Sequence, residues 1–429
     1  MAANFDLTNL AVTGLAPGNE LIYDNAGMPS IMVKIPKMTY KQLGMGESAA
    51  VHPAFIVNGQ EVDAIYISKY QNIVQDGRAY SLGGVDPAAS LDMDHARQYC
   101  EAKGEGWHLM TRMEWGLIQR MCEAAGFVPK GNNNYGRHDS ESFYKAIPTY
   151  MSGDKIGRVA TGTGPLTWYH DNSPSGISGL TGNVWEWMGA VRSVYGEIQF
   201  LVNNNGADSA HSQSPTSTEW KAISCVDGSF ITPDGKGTTA NSVKIDIVGG
   251  KLQWAKTITH KNADGDWPSC TFGSITCSAD IGANAKLLLQ ALGMMPYSSS
   301  DLCAGHTCWF RNSDEERAFF SGCSWNNPSN GLGSFNGNNP RSNVDDDIGF
   351  RAALPPSQIL QAQGLALSAE VIKGLVPLVA FRSLKILASQ SAFRRYKRTA
   401  HTVRRPQGVG FFGKAPTRFR AVCNVRQFV

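Results

Sequence analysis

Nine cysteines are the residues of this chain best suited to redox or metal chemistry: Cys100, Cys122, Cys225, Cys270, Cys277, Cys303, Cys308, Cys323 and Cys423. They are odd in number and scattered. No pair reads CxxC, and Cys303 with Cys308 has neither a second pair nor a histidine cluster to complete a tetrahedral zinc shell. They read as structural thiols of a protein folded in a reducing compartment. His108, within Gly106-Trp107-His108-Leu109-Met110, shows no acid or base partner at a useful spacing and reads as a packed or capped histidine. The run Asp345-Asp346-Asp347 offers three carboxylates. Calcium loops add a turn glycine and a bidentate glutamate at fixed offsets. Neither is present, so the run reads as a solvent-facing acidic patch suited to a basic target. These residues predict no catalytic centre, no metal site and no cofactor.

The elements that would position such residues can be read in part. A strand is expected at 31–35 (IMVKI) and a mostly buried one at 64–68 (AIYIS). A helix is predicted over about 93–102, with Ser90, Asp92 or Asp94 near its start and Gly104 past its end. A second helix opens at Thr111, where Thr111-x-x-Glu114 forms a capping box and Trp115, Ile118, Met121 and Cys122 share one face. From about 203 to 300 the chain is turn-rich. It contains the hairpin SVKIDIV-GG-KLQWAKTI, turning at Gly249 and Gly250, and a short helix near 283–292 ended by Gly293. Pro355-Pro356 closes the compact part.

Composition bounds the rest. A length of 429 residues, 42% hydrophobic, suffices for one large or two ordinary domains, and 45 Gly with 20 Pro imply many turns. The start, MAANFDLTNLAVTG, lacks a basic and apolar leader, and no window reaches the roughly 20 apolar residues of a membrane span. Synthesis in the cytoplasm without a signal peptide is expected. The net charge of +3 hides an asymmetry, because residues 357–429 hold 13 Lys/Arg against the single acid Glu370. Residues 1–356 then carry about −9 and the tail +12. The basic tail is either a solvated, partly disordered extension or a binder of nucleic acid or another anionic surface.

Three separated blocks carry a resemblance: Gly182-Asn183-Val184-Trp185-Glu186-Trp187, Gly322-Cys323-Ser324-Trp325 and Ile348-Gly349-Phe350-Arg351. In this order, downstream of the helix pair, they resemble the C-type-lectin-like fold of the formylglycine-generating-enzyme (sulfatase-modifying-factor) superfamily. The resemblance implies an α+β C-type-lectin-like domain over 46–356, with a short extended lead-in at 1–45, a β-rich insertion at about 203–300 and the basic tail from 357. Trp185 and Trp187 have period-two spacing and would face the core, leaving Glu186 to hold Arg192 or Arg351. Gly182, Gly322 and Gly349 would permit tight turns or close backbone approach. The enzymes of this superfamily need a reactive cysteine pair downstream of the Trp325 block, and no cysteine lies between Trp325 and Phe350. In that branch calcium can be held around the Gly182–Trp187 block, but Gly179 stands where a side-chain oxygen is expected.

The segment SWNNPSNGLGSFNGNNPRSNVDDDIGFRAALPPSQ, from Ser324, is similar to the variable region of proteins made by diversity-generating retroelements, many of them phage-encoded. There, adenines of a template copy are randomised, so AAC codons reach any residue except Lys, Glu, Gln, Trp and Met. None of these five occurs from Asn326 to Asp347. The resemblance implies a variable region at about 324–351, framed by the scaffold residues Trp185, Trp187, Trp325, Phe350 and Arg351. Its contact candidates are Asn326, Asn327, Ser329, Asn330, Leu332, Ser334, Phe335, Asn336, Asn338, Ser342, Val344, Asp345 and Asp347, about half of them exposed. Phe335 is equally a hot-spot aromatic or a core plug. The expected function is non-enzymatic binding of a protein or glycan on a target cell, from a phage tail, where homo-oligomeric display would strengthen weak contacts. The alternative is an oxidase of the sulfatase-modifying-factor type.

Overall fold

A computed structural model describes residues 5–356. Contacts divide the chain into a unit of residues 1–360 and a second of 361–429. The second unit, and with it the expectation of a solvated or nucleic-acid-binding tail, lies outside the described residues.

The caps predicted from sequence form. Asp92 caps the helix Met93–Glu101 by accepting from the backbone N–H of His95 at 2.8 Å. At Thr111 the box is reciprocal: its hydroxyl accepts from Glu114 N at 3.1 Å, and Glu114 accepts from Thr111 N at 2.9 Å. Such a cap stabilises a helix by about 1 kcal/mol. The helix it opens, Arg112–Ala125, buries Trp115, Leu117, Ile118 and Cys122. It crosses the helix Ala283–Ala291 so closely that a Cβ on Gly116 would lie 2.0 Å from Ala291 O.

Two sheets frame the molecule. The first runs in the order Asn19–Tyr23, Pro29–Pro36, Ala64–Ser68, Ala352–Leu354, His108–Leu109, each pair antiparallel. This corrects the expected lead-in at 1–45. Residues 19–36 are half of a core sheet, with Val33 opposite Ile67 and Ile35 opposite Ile65. Only the strand at 31–35 was visible beforehand, although Asn19–Tyr23 pairs with it across the short turn 24–28.

The second sheet is centred on Trp185–Val194, which pairs antiparallel with Arg317–Ser321 on one side and Glu197–Phe200 on the other. Beyond Glu197–Phe200 the sheet continues into the 203–300 region through the hairpin Lys244–Val248 and Lys251–Ala255. Its turn residues Gly249 and Gly250 have φ of 59° and 76°, which the two-residue turn requires. The expected insertion is therefore a lateral extension of the central sheet.

Trp185 and Trp187 pack on one side of their strand, each edge-on to Phe320 with centroids 5.2 and 5.1 Å apart, and Trp187 Nε1 donates to Leu91 O. Burial of two such indoles contributes several kcal/mol.

Candidate binding face

The segment after Ser321 is held at three points. Phe335–Gly337 is an interior strand, antiparallel to Arg317–Ser321 and parallel to Thr307–Phe310. Ile348–Gly349 runs parallel to the first residues of Trp185–Val194. Ala352–Leu354 enters the middle of the first sheet.

This threading sorts the thirteen contact candidates. Asn326, Ser329, Ser342, Val344 and Asp345 are exposed, and Asn327, Asn336 and Asp347 are half-buried. Asn330, Leu332, Ser334, Phe335 and Asn338 are buried and leave the contact set. The reason is the interior strand at 335–337. Phe335 faces Phe319 at 6.1 Å and receives the Arg112 guanidinium on its ring, so it is a core plug. Leu332 O accepts from Trp115 Nε1 at 2.9 Å, and Asn330 Oδ1 accepts from Thr307 N at 2.8 Å. These positions hold the loops in place.

Two exposed stretches remain, 326–329 and 342–347, and they meet at Ser324. Its hydroxyl lies 2.8 Å from Asp347 Oδ2, 2.8 Å from Asn327 Oδ1 and 2.9 Å from Asn326 Oδ1. One hydroxyl proton cannot serve three oxygens. A protonated Asp347 would supply a second donor, and its carboxyl is pushed up to about 6 by burial, with Asp345 and Asp346 adding repulsion. The three carboxylates converge within 4.8 Å, and among the described residues they are the one such cluster.

Behind this junction stands Trp325, 2% exposed. Tyr150 meets it edge-on at 5.7 Å and donates its hydroxyl to Asp346 Oδ2 at 2.7 Å. Arg158 covers the Tyr150 ring at 4.2 Å, donates to Asp346 O at 2.7 Å and pairs with Asp86 at 3.0 Å. On the other loop, Ser329 N donates to Asp139 Oδ2 and Tyr135 N to Trp325 O. Both loops are thus tied by their backbones to residues 135–158. The side chains of Ser329, Ser342 and Val344 make no hydrogen bond or ion pair among the described residues. The same 135–158 region presents Phe143 (75% exposed), Tyr144 (66%), Ile147 and Met151 to solvent. Sequence reasoning missed this flank, although the aperiodic apolar letters of SFYKAIPTYM were a signal.

The Gly182–Trp187 block is buried. Gly182 has φ of 76° and lies so close to Asn132 that a Cβ would clash at 2.2 Å; Gly349 is equally close to Ala88 O. Of the two arginines offered to Glu186, Arg351 takes it with two contacts of 2.8 Å, and Arg192 pairs with Glu316 instead. The oxygens of Gly179, Gly182, Val184 and Glu186 converge on one atom, Nε2 of Gln71, at 3.0–3.2 Å. Asn183 Nδ2 donates to Gln71 Oε1 and so orients that amide. Calcium would require these oxygens at about 2.3–2.6 Å. Nε2 has two protons for these four oxygens, and it is the Arg351 cation, bonded to both oxygens of Glu186, that disfavours a calcium ion here. Nothing in the sequence near residue 71 announced the role of Gln71.

His108, assigned no partner from sequence, has one: its Nε2 is 2.9 Å from Glu114 Oε1, inside the core. The pair is packed behind the capping box. The eight described cysteines are unpaired, and burial pushes the thiols of Cys100, Cys122, Cys303, Cys308 and Cys323 well up, which disfavours the thiolate.

Residues 52–232 match the family described as sulfatase-modifying factor enzyme 1-like domain, a stretch of less than half the chain. At that level the resemblance drawn from the sequence holds, and the mixed sheets with four helices are consistent with an α+β fold of this kind. The structure of PvdO from Pseudomonas aeruginosa is 15% identical, with a TM-score of 0.31, over 76% of this chain and 95% of that one. No curated protein matches the chain. Among the described residues no helix is long and apolar enough to cross a membrane.

Proposed function

We propose that this chain is a non-enzymatic target-binding protein whose contact face is formed by the loops 326–329 and 342–347, and that it is the variable protein of a diversity-generating retroelement. The carrying observation is the division of labour in the segment. The exposed side chains of Ser329, Ser342 and Val344 carry no hydrogen bond or ion pair among the described residues, while the loop backbones are pinned to 135–158 and to the core strand at 335–337. Side chains at such positions can be exchanged without disturbing the fold. Phe143 and Tyr144, exposed in the 135–158 region to which both loops are tied, offer the large apolar anchors that small Asn, Ser and Asp side chains lack. The ligand class is a protein or glycan on a target cell, presented by a phage tail, with self-association multiplying weak contacts.

The oxidase alternative is disfavoured by the lack of any cysteine between Trp325 and Phe350 and by thiols held protonated in the core. The decisive observation is the DNA around the coding sequence. We expect a near-identical repeat of the part encoding Trp325 to Phe350, differing mainly where the other copy has adenine, beside a reverse-transcriptase gene. Its absence would remove the retroelement assignment. Turnover of a thiol substrate by the pure protein, with stoichiometric copper or iron on metal analysis, would remove the binding assignment.

A further inference from the structure

The region 1–356 carries a net charge of about −9, yet one concavity in it is uniformly basic. A cleft of about 590 Å³ opens between the turn at Tyr195, the loop 236–241 and the segment 256–261, and Lys236, Lys244, Lys256 and Lys261 line it without a single carboxylate. Its volume falls in the range of small-molecule sites, about 300–1,000 Å³.

The four lysines differ in role. Lys244 is buried, and its ammonium donates to Thr239 O, Ser242 Oγ and two further carbonyls, so it contributes charge from the floor and has no proton to spare. Lys236, Lys256 and Lys261 are exposed and have no ion pair among the described residues. The surrounding acids do not line the cleft, although Asp234 and Glu197 lie close enough to act on the Lys244 ammonium and Glu315 accepts from the Tyr195 hydroxyl at 3.4 Å. Asp234 accepts from the backbone of Lys236 and Thr238 and from the Thr238 hydroxyl; Asp246 accepts from Thr259 and His260. Glu197 accepts from Ser242 and Gln199 in the core. The Asp234 turn also fixes the loop that carries Lys236, and Gly237 seats that loop against Tyr195, where a Cβ would come within 2.7 Å of Tyr195 Cβ. The backbone that carries Lys236 is therefore fixed, and an anion in the concavity would meet three lysine ammoniums that no lining carboxylate answers.

We propose that this cleft binds a sugar bearing phosphate or sulfate ester groups. Lys236, Lys256 and Lys261 meet the ester oxygens, Thr238, Thr257 and Asn241 offer hydrogen bonds to ring hydroxyls, and the Tyr195 ring gives the sugar an apolar face. This site uses none of the residues of the 326–347 face and does not depend on the function proposed above.

The test is calorimetric titration of the full-length chain with glucose 6-phosphate and glucosamine 6-sulfate, set against glucose, inorganic phosphate and inorganic sulfate. Each is run at about 20 and 200 mM salt. We expect either ester to bind at least about tenfold more tightly than glucose or the bare ions, to weaken severalfold with salt, and to lose at least about tenfold in the variant Lys236→Ala/Lys256→Ala/Lys261→Ala. The tighter ester names the preferred group. Because residues 357–429 carry 13 basic side chains, the comparison of wild type with this variant is the deciding readout. Circular dichroism checks that the variant, altered at exposed positions alone, stays folded. Undiminished affinity in the variant, equal affinity for the bare ion, or no ester binding would each overturn the proposal.

Discussion

Replacing Asp347 with asparagine tests the junction at Ser324. In the folded protein this carboxyl is raised from the ordinary 3.8 to about 6 by burial and by its two acidic neighbours. The folded state therefore holds the proton more tightly than the unfolded chain. The contribution of this one group to stability is greatest below pH 4, falls as pH rises from about 4 to about 6, and is fully lost above that window. At about 1.4 kcal/mol for each tenfold change in proton affinity, the shift corresponds to roughly 3 kcal/mol. Water reaches the half-buried side chain and screens part of this, leaving about 1–2 kcal/mol. Asp347→Asn keeps the shape and a contact to Ser324 Oγ but removes the charge. Urea denaturation should show the variant about 1–2 kcal/mol more stable than wild type at pH 7.5 and no different near pH 4. An offset independent of pH, or a variant less stable at pH 7.5, would refute the assignment of strain to this carboxylate.

Other outcomes follow from the same structure. Glu186→Gln should cost about 3–5 kcal/mol in urea denaturation, because it leaves Arg351 charged and fully buried without its counter-charge. Phe335→Ala should cost about 3–5 kcal/mol, whereas Ser342→Tyr and Val344→Tyr should stay within about 0.5 kcal/mol of wild type in thermal melts; similar losses at all three would contradict the sorting of core from face. Millimolar calcium should leave the melting temperature of the wild type unchanged, since the Arg351 cation is bonded to both oxygens of Glu186; a clear upward shift would show that the arginine yields to the ion.

What was legible in the sequence was local. The capping box at Thr111, the Gly249-Gly250 hairpin and the paired indoles of Trp185 and Trp187 each follow from chemistry within a few residues, and each is found. What was not legible depended on distant partners. The strand at 19–23 is the exception, since it pairs across the short turn 24–28 with a strand that was read in part. Leu332 and Phe335 looked like loop residues in a run of Gly, Asn and Ser, and the interior strand that buries them is defined by pairing with 307–310 and 317–321. Gln71 gained its role from carbonyls more than a hundred positions away. Glu114 was assigned to the cap, and its second oxygen, which meets His108, went unread.

The strand Ala352–Leu354 lies between two others in the first sheet, and Phe335–Gly337 is likewise flanked on both sides. A chain clamped in this way at its middle and at its far end has a fixed contour. Slipping by a single residue would turn Phe335 outward and carry Arg351 away from Glu186. Ser342 and Val344 on these loops can be exchanged, but the number of residues cannot change. Inserting or deleting a residue in either loop should therefore cost far more stability than a replacement at Ser342 or Val344.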